Sequence, residues 1–187
     1  RILIERNRDI IKSSGANLLV TSCPICYKMF REEYDPDIQV LHHSEYLKVL
    51  IYKNLLKLQK SDLRLTYHDP CELGRGSGIY EQPRAVINAL ASLVEPEKSK
   101  EKSICCGGSL GNTVLGINER RKITRFALEN LITGNPDQII TSCPLCKKSF
   151  SNEAAQPVFD LAEVVAMALI EERKISLHPA TELTLAE

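Results

Sequence analysis

Asp137-Gln138-Ile139-Ile140-Thr141-Ser142-Cys143-Pro144-Leu145-Cys146-Lys147-Lys148-Ser149-Phe150 is the stretch on which the fold turns. Its opening is a short apolar run that reads as a buried strand over 138–141. Cys143 then falls where a helix should begin. Pro144 takes the first helical position, where a missing N–H leaves no bond unmade. The same pattern stands 120 residues earlier, in Asn17-Leu18-Leu19-Val20-Thr21-Ser22-Cys23-Pro24-Ile25-Cys26-Tyr27-Lys28-Met29-Phe30. Thr-Ser-Cys-Pro-x-Cys-x-Lys-x-Phe is common to both. Upstream, Glu5-Arg6 and Glu119-Arg120 each open a helical stretch that stops at Gly15 or Gly134. Downstream, Val40-Leu41-His42-His43-Ser44-Glu45 is echoed by Val158-Phe159-Asp160-Leu161-Ala162-Glu163, and each runs into an apolar-periodic helix. One supersecondary unit therefore occurs twice.

Outward from these two copies the chain alternates. Helical periodicity covers 3–13, 24–34, 45–59, 81–93, 117–133, 144–154 and 161–173, and short apolar runs over 18–21, 39–42, 63–67, 138–141 and 158–159 read as strands. The pattern predicts an α/β fold of two similar units, with short, largely parallel sheets flanked by helices. The second copy has an extra stretch ahead of its matching point. Residues 1–60 thus read as the C-terminal half of a first repeat, and residues 61–187 as a complete second repeat. Residues 98–102 read as a charged surface loop, and the tail after Lys174 as surface chain.

Composition narrows the function. The chain has 187 residues, 43% of them hydrophobic, enough for a core without disulfide staples. Lys and Arg number 24 and are balanced by 24 Asp and Glu, with no Trp and 5% aromatics. That argues against a nucleic-acid footprint. No apolar run reaches the ~20 residues of a membrane helix. The start, Arg1-Ile2-Leu3-Ile4, lacks a signal-peptide layout. Seven cysteines, an odd number, point to a reducing, cytoplasmic setting with thiols free for metal, cluster or redox chemistry. Any association with a membrane would come through partners.

The cysteines fall in special local arrangements. In each C-P-x-C the first sulfur meets the unsatisfied N–H groups of a helix start, which favours thiolate. Two uses fit: a dithiol/disulfide couple, or half of a metal or cluster site. Cys105-Cys106-Gly107-Gly108 is different. Adjacent cysteines close a disulfide poorly, because the bond wants Cα atoms ~5.5 Å apart. Both can reach one polynuclear cluster, and two glycines let backbone N–H groups approach its sulfurs. Cys71 follows a strand in His68-Asp69-Pro70-Cys71, at the strand edge where α/β sites gather. Asp69 reads there as a helix N-cap and Pro70 as a first helical residue. Gly74, Gly76 and Gly78 lack the dinucleotide-binding register and read as a connector. His42 and His43 end a strand near Cys23 and Cys26, as metal ligands or as hydrogen-bonded histidines. His178 carries no signal.

Cys71, then 33 residues, Cys105-Cys106, then 36 residues, then Cys143-x-x-Cys146 resembles the cysteine-rich CCG-domain family. That family includes the catalytic polypeptide of heterodisulfide reductase and the iron–sulfur components of glycolate, lactate and anaerobic glycerol-3-phosphate oxidation systems. His68-Asp69-Pro70-Cys71, Leu73-Gly74-Arg75, Gly78-Ile79-Tyr80, Pro83-Arg84 and Asp160-Leu161-x-Glu163 extend the likeness. The resemblance implies an iron–sulfur oxidoreductase domain in which Cys71, Cys105, Cys106, Cys143 and Cys146 hold a noncubane 4Fe–4S cluster. It also implies redox partners, ferredoxin-like or flavoprotein, and a disulfide or quinone-linked acceptor. Cys23 and Cys26 match the last pair of another such set, whose other three positions have no counterpart here, leaving a partial second site. For disulfide reduction, His68 or Arg75 is expected to line a cavity beside the cysteines and to stabilise or protonate a developing thiolate. Two other readings stand beside this one: a zinc-binding structural module, which four thiolates would satisfy, and a thioredoxin-like dithiol protein without metal.

Overall fold

The computed structural model describes residues 2–34, 37–108 and 110–170. Helix α1 (Ile2–Ser13) leads, and Gly15, at φ +68°, turns the chain into β1 (Leu18–Thr21). Pro24 opens α2 (Pro24–Met29), which widens into a π turn over Phe30–Tyr34. β2 (Gln39–His42) pairs in parallel with β1, and α3 (His43–Tyr52) follows. Next come β3 (Arg64–His68), α4 (Glu81–Leu90) and β4 (Ser92–Val94). The last elements among the described residues are α5 (Ile117–Leu131), β5 (Gln138–Thr141), α6 (Pro144–Ser151), β6 (Val158–Asp160) and α7 (Leu161–Ala168). These last five elements repeat the order of α1 to α3, and both Thr-Ser-Cys-Pro-x-Cys stretches run from strand through turn into helix.

The larger sheet has the order β4-β3-β5-β6 and is parallel throughout. Parallel strands joined by helices are covered on both faces and therefore read as apolar runs. Leu65, Tyr67, Ile139 and Ile140 are all fully buried. Successive side chains of a strand point to opposite faces. Ile140 joins Leu65, Tyr67, Val86, Ile87 and the α7 valines on one side. Ile139 joins Ala127, Leu128, Leu131, Phe150 and three of the cysteines on the other. In register, His68 lies opposite Thr141. The His68-Asp69-Pro70-Cys71 and Thr141-Ser142-Cys143-Pro144 turns therefore leave neighbouring strands at the same edge.

Four elements differ from the sequence reading. The helix expected over 45–59 ends at Tyr52 because Asn54 turns left-handed at φ +55°. The chain beyond it runs antiparallel to the end of α7, with Gln59 N–H donating to Ala168 O at 2.8 Å and Ile170 N–H to Lys57 O at 3.1 Å. This path packs Leu56 and Leu58 against the core, which a continued helix would not. The helix expected over 81–93 ends at Leu90, and the next residues become β4. Ser92 N–H donates to Leu63 O at 3.1 Å, so pairing with the open edge of β3 outweighs weak helix propensity. The helix expected over 24–34 widens into the π turn after Met29. The helix expected over 161–173 ends at Ala168; residues 171–173, the tail after Lys174 and His178 lie outside the described residues.

Candidate metal centre

Three segments build the site. The first leaves β3 through Asp69 and Pro70, and Cys71 starts a series of tight turns in which Gly74 N–H donates to Pro70 O at 2.9 Å and Gly76 N–H to Cys71 O at 2.9 Å. Asp69 does not cap a helix, contrary to the expectation from sequence. Its carboxylate takes two bonds from Arg84, at 2.7 and 2.9 Å, and one from Lys100 N–H at 2.8 Å. Arg84 also binds Glu95, at 2.5 and 3.0 Å, and Tyr80 O at 2.8 Å, and lies over the Tyr67 ring. Ser103 Oγ donates to Asp69 O at 3.0 Å. Asp69 and Arg84 thereby latch the Cys71 turn to the loop that leads into Cys105. Arg84 is 4% exposed, and a buried cation of this kind needs such partners. Sequence reasoning places Arg84 in the family likeness and gives it no role of this kind. The signal was there, because Arg84 sits one turn ahead of Ile87, on the apolar stripe of α4.

The second segment is Cys105-Cys106-Gly107-Gly108. Gly107 N–H donates to Cys105 Sγ and Gly108 N–H to Cys106 Sγ, both at 3.4 Å, and Asn112 Nδ2 approaches Cys105 Sγ at 3.5 Å. Thr124 Oγ1 on α5 donates to Cys106 O at 2.8 Å. Gly107 sits at φ +81°, and a Cβ there would lie 2.6 Å from Arg120 O. A Cβ on Gly108 would collide with Ser149 Oγ. Only glycine lets the cysteine pair sink between α5 and α6.

The third segment is the start of α6. Cys143 stands at the N-cap in extended backbone, and Lys147 N–H donates to its carbonyl at 2.9 Å. The five thiols make one series of contacts: Cys71 with Cys105, Cys105 with Cys106, Cys106 with Cys146, and Cys146 with Cys143. These contacts set their acidities. Hydrogen bonding to Cys105, then burial, raises Cys71 far above the ordinary thiol range. Cys106 is pushed up to about 11, chiefly by Cys105. Contacts with Cys106 and Cys143 raise Cys146. Cys143, which Cys146 bonds in its thiolate form, comes down to about 7. Cys143 is thus the most readily ionised of these four, and metal binding at Cys71, Cys106 and Cys146 would displace their protons. Among the described residues, no three His, Cys, Asp or Glu side chains surround a common point closely enough for a single metal ion. The backbone N–H donors to Cys105 and Cys106 suit a polynuclear group.

His68 and Arg75 face the same loop. His68 is 2% exposed; its Nε2 lies 3.0 Å from Ile104 O, and its ring meets Phe150 edge-on at 4.7 Å. Burial lowers its pKa. Arg75 donates to Ser103 O at 2.8 Å and to Glu101 O at 3.3 Å. A cavity of about 490 Å³ does open beside the cysteines, but neither side chain lines it, which corrects that expectation. Both are spent on carbonyls of the 101–104 backbone. The cavity walls are instead Cys71, Cys106, Cys143 and Cys146 on one side and Pro24, Ile25, Lys28 and Met29 of α2 on the other, with Glu32, Glu33 and Glu72 also contributing.

Cys23 stands at the N-cap position of α2 and Cys26 lies exposed one turn on, hydrogen-bonded to Cys23 and within electrostatic reach of Cys143. His42 and His43 are buried between the two copies. His42 Nδ1 lies 2.8 Å from Ser44 Oγ, and His43 Nε2 lies 3.4 Å from Asp160. The Tyr80 ring lies against Gly74, so the glycine-rich turn is packed.

Residues 65–151 match the family described as the CCG cysteine-rich domain. The chain is 33% identical over 187 aligned residues to the EtfAB:quinone oxidoreductase of Syntrophomonas wolfei subsp. wolfei, covering 89% of this chain and 26% of that protein. It is 31% identical to a polypeptide of the dihydromethanophenazine:CoB–CoM heterodisulfide reductase of Methanosarcina acetivorans, covering 89% of this chain and 44% of that one. It is 30% identical to a polypeptide of the fumarate reductase (CoM/CoB) of Methanothermobacter marburgensis, covering 90% of this chain and 34% of that one. The chain spans less than half the length of each. The glycine-seated cysteine pair, flanked by Cys71 and by Cys143-x-x-Cys146, lies within the matched residues, and through them residues 65–151 are a CCG cysteine-rich domain.

Proposed function

We propose that this chain is the iron–sulfur-binding part of a larger redox enzyme. The observation that carries the reading is the contact series of five thiols drawn from three separate segments, with two glycine N–H groups donating to its sulfurs. The named activities of the relatives support a redox role. Cys71, Cys105, Cys106, Cys143 and Cys146 would hold the group, as a noncubane 4Fe–4S cluster that supplies one-electron steps when bound. The protein's own part is to seat five sulfurs, keep Cys106 and Cys146 largely buried at the cavity wall, and hold the Cys71 turn against the Cys105 loop through Asp69 and Arg84. His68 and Arg75 position the 101–104 backbone. Five ligands, two of them adjacent, fit tetrahedral zinc less well than a cluster. A metal-free dithiol role leaves the cysteine pair unused.

The reading includes electron transfer or disulfide reduction, with ferredoxin-like or flavoprotein partners and a disulfide or quinone-linked acceptor. No helix among the described residues is long and apolar enough to cross a membrane. It also divides the chain into the C-terminal half of one repeat, residues 1–60, and a complete second repeat, residues 61–187. Cys23 and Cys26 then form a partial second site.

Anaerobic reconstitution tests it. Iron and sulfide should bind in near-equal amounts with visible absorption, and serine at any of the five positions should lower the iron content or change the EPR signal. Serine at Cys23 and Cys26 should leave the five-cysteine signal in place. A colourless protein that takes up zinc and no sulfide would reject the reading.

A further inference from the structure

The cavity beside the cysteines has walls of distinct character. α2 contributes Ile25 and Met29, and Leu145 faces them from α6, so much of the wall is apolar. The charged side chains on the wall are Lys28, Glu32, Glu33 and Glu72. Lys28 Nζ lies 3.9 Å from Glu72 Oε2, so the single lysine is engaged with one of the carboxylates. Among the described residues, neither Glu32 nor Glu33 has an ion-pair partner. Arg31, next in sequence, is held by the Tyr27 hydroxyl at 2.6 Å in the adjoining groove and does not line the cavity. The remaining wall is formed by Cys71, Cys106, Cys143 and Cys146 with Pro24, Pro70 and Gly111. An incoming anion would meet like charge on the carboxylate rim, with no lysine or arginine left to receive it.

We infer that the cavity admits a small, largely apolar redox ligand that is uncharged or cationic, and disfavours polyanionic ones. The inference rests on the reading of this cavity as the redox site. A volume of about 490 Å³ suits a ligand of metabolite size. The acidic rim acts as a filter on what reaches the sulfurs. A chain with this rim differs from what a binder of sulfonate- or phosphate-bearing thiols needs, because such ligands call for arginine or lysine donors.

Charged disulfide probes test the filter without any metal. The full 187-residue chain is reduced and treated with cystamine, 2-hydroxyethyl disulfide or dithiodiglycolate, which are cationic, neutral and anionic. A cavity thiolate displaces one half of the probe, forming a mixed disulfide and releasing the other half as a thiol. Mass spectrometry then follows labelling at Cys71, Cys106, Cys143 and Cys146, with each rate divided by that of the same probe with N-acetylcysteine. Cystamine should react on the order of tenfold faster than dithiodiglycolate at low ionic strength, with the neutral probe between. The preference should shrink in Glu32→Gln/Glu33→Gln and grow in Lys28→Gln. Both variants alter exposed or half-exposed side chains, and circular dichroism checks that the fold is kept. Equal rates, a reversed order, an order that survives Glu32→Gln/Glu33→Gln, or no labelling of any cavity thiol would each overturn the inference. Failure to incorporate iron would reject the cluster reading and leave the charge order as measured.

Discussion

Arg84 and Gly107 carry no sulfur, yet each fixes where sulfur can be. Arg84 holds the buried Asp69 carboxylate two residues ahead of Cys71. Arg84→Met would leave that carboxylate unpaired, and losing one partner of a buried pair costs about 3–5 kcal/mol. Chemical denaturation should report a loss of that size, with faster alkylation of Cys71 at denaturant concentrations where the fold persists. Adding Asp69→Asn to the same chain should recover part of the loss, because no buried charge then remains; a simple loss of packing would not be recovered. Gly107 answers to a different constraint. Gly107→Ala places a Cβ against the Arg120 carbonyl at a positive φ, so both sterics and backbone oppose it. A cost of about 1–3 kcal/mol should appear as a lowered melting temperature, together with weaker retention of iron after reconstitution.

At the scale of elements, α3 and α7 begin with matching caps. The Glu45 carboxylate accepts from His42 N–H at 2.9 Å, and Glu163 accepts from Asp160 N–H at 2.8 Å. The two N-cap side chains differ in the charge they carry, since His42 becomes a cation on taking up a proton whereas Asp160 loses its negative charge. Burial, with the adjacent His43 second, lowers the pKa of His42 to about 3, against 6.5 for the free side chain. The folded state therefore keeps His42 neutral while the unfolded chain takes up a proton below 6.5. The stability that this contributes is complete above pH 6.5 and is lost as pH falls from there toward 3. Between about pH 7 and pH 5 the loss from this residue should be about 2 kcal/mol. Urea melts at both pH values measure it. His42→Asn retains a capping side chain and should flatten the dependence; an unchanged pH slope in that variant would assign the effect to His43 or to carboxylates elsewhere. β4 shows the opposite kind of dependence. Its residues continue a helical pattern in sequence, yet the exposed edge of β3 recruits them into the sheet.

Across the whole molecule, burial is uneven. β3 and β5 carry fully buried side chains between two cores, whereas α1 has no buried residue among those described. Amide hydrogen exchange should follow this division. The central strands should exchange only through global unfolding, and α1 on the order of a hundredfold faster or more, through local opening. Equal protection in α1 and β3 would mean that α1 is covered in solution by something beyond these residues. The site lies on the protected side of this gradient: Cys106, Cys143 and Cys146 belong to the core that includes Ile139 and Phe150. Its cavity opens toward α2, at the boundary with the less protected elements.

The sequence by itself determined the repeated strand–turn–helix units, the parallel α/β class and the candidate cysteines. Each of these rests on a local rule, such as an apolar run, a proline at a helix start or a fixed spacing, that a single segment can express. Only the tertiary structure decided that Cys71 and Cys146, 75 residues apart, join one series of contacts. It also decided that His68 and Arg75 turn to the 101–104 carbonyls and away from the cavity, that Arg84 lies buried on Asp69, and that 92–94 leave a helical pattern for a strand edge. These are outcomes of pairing and desolvation between distant segments. A buried carboxylate or an open strand edge takes whichever partner the fold brings near, and the residue types alone do not say which that will be.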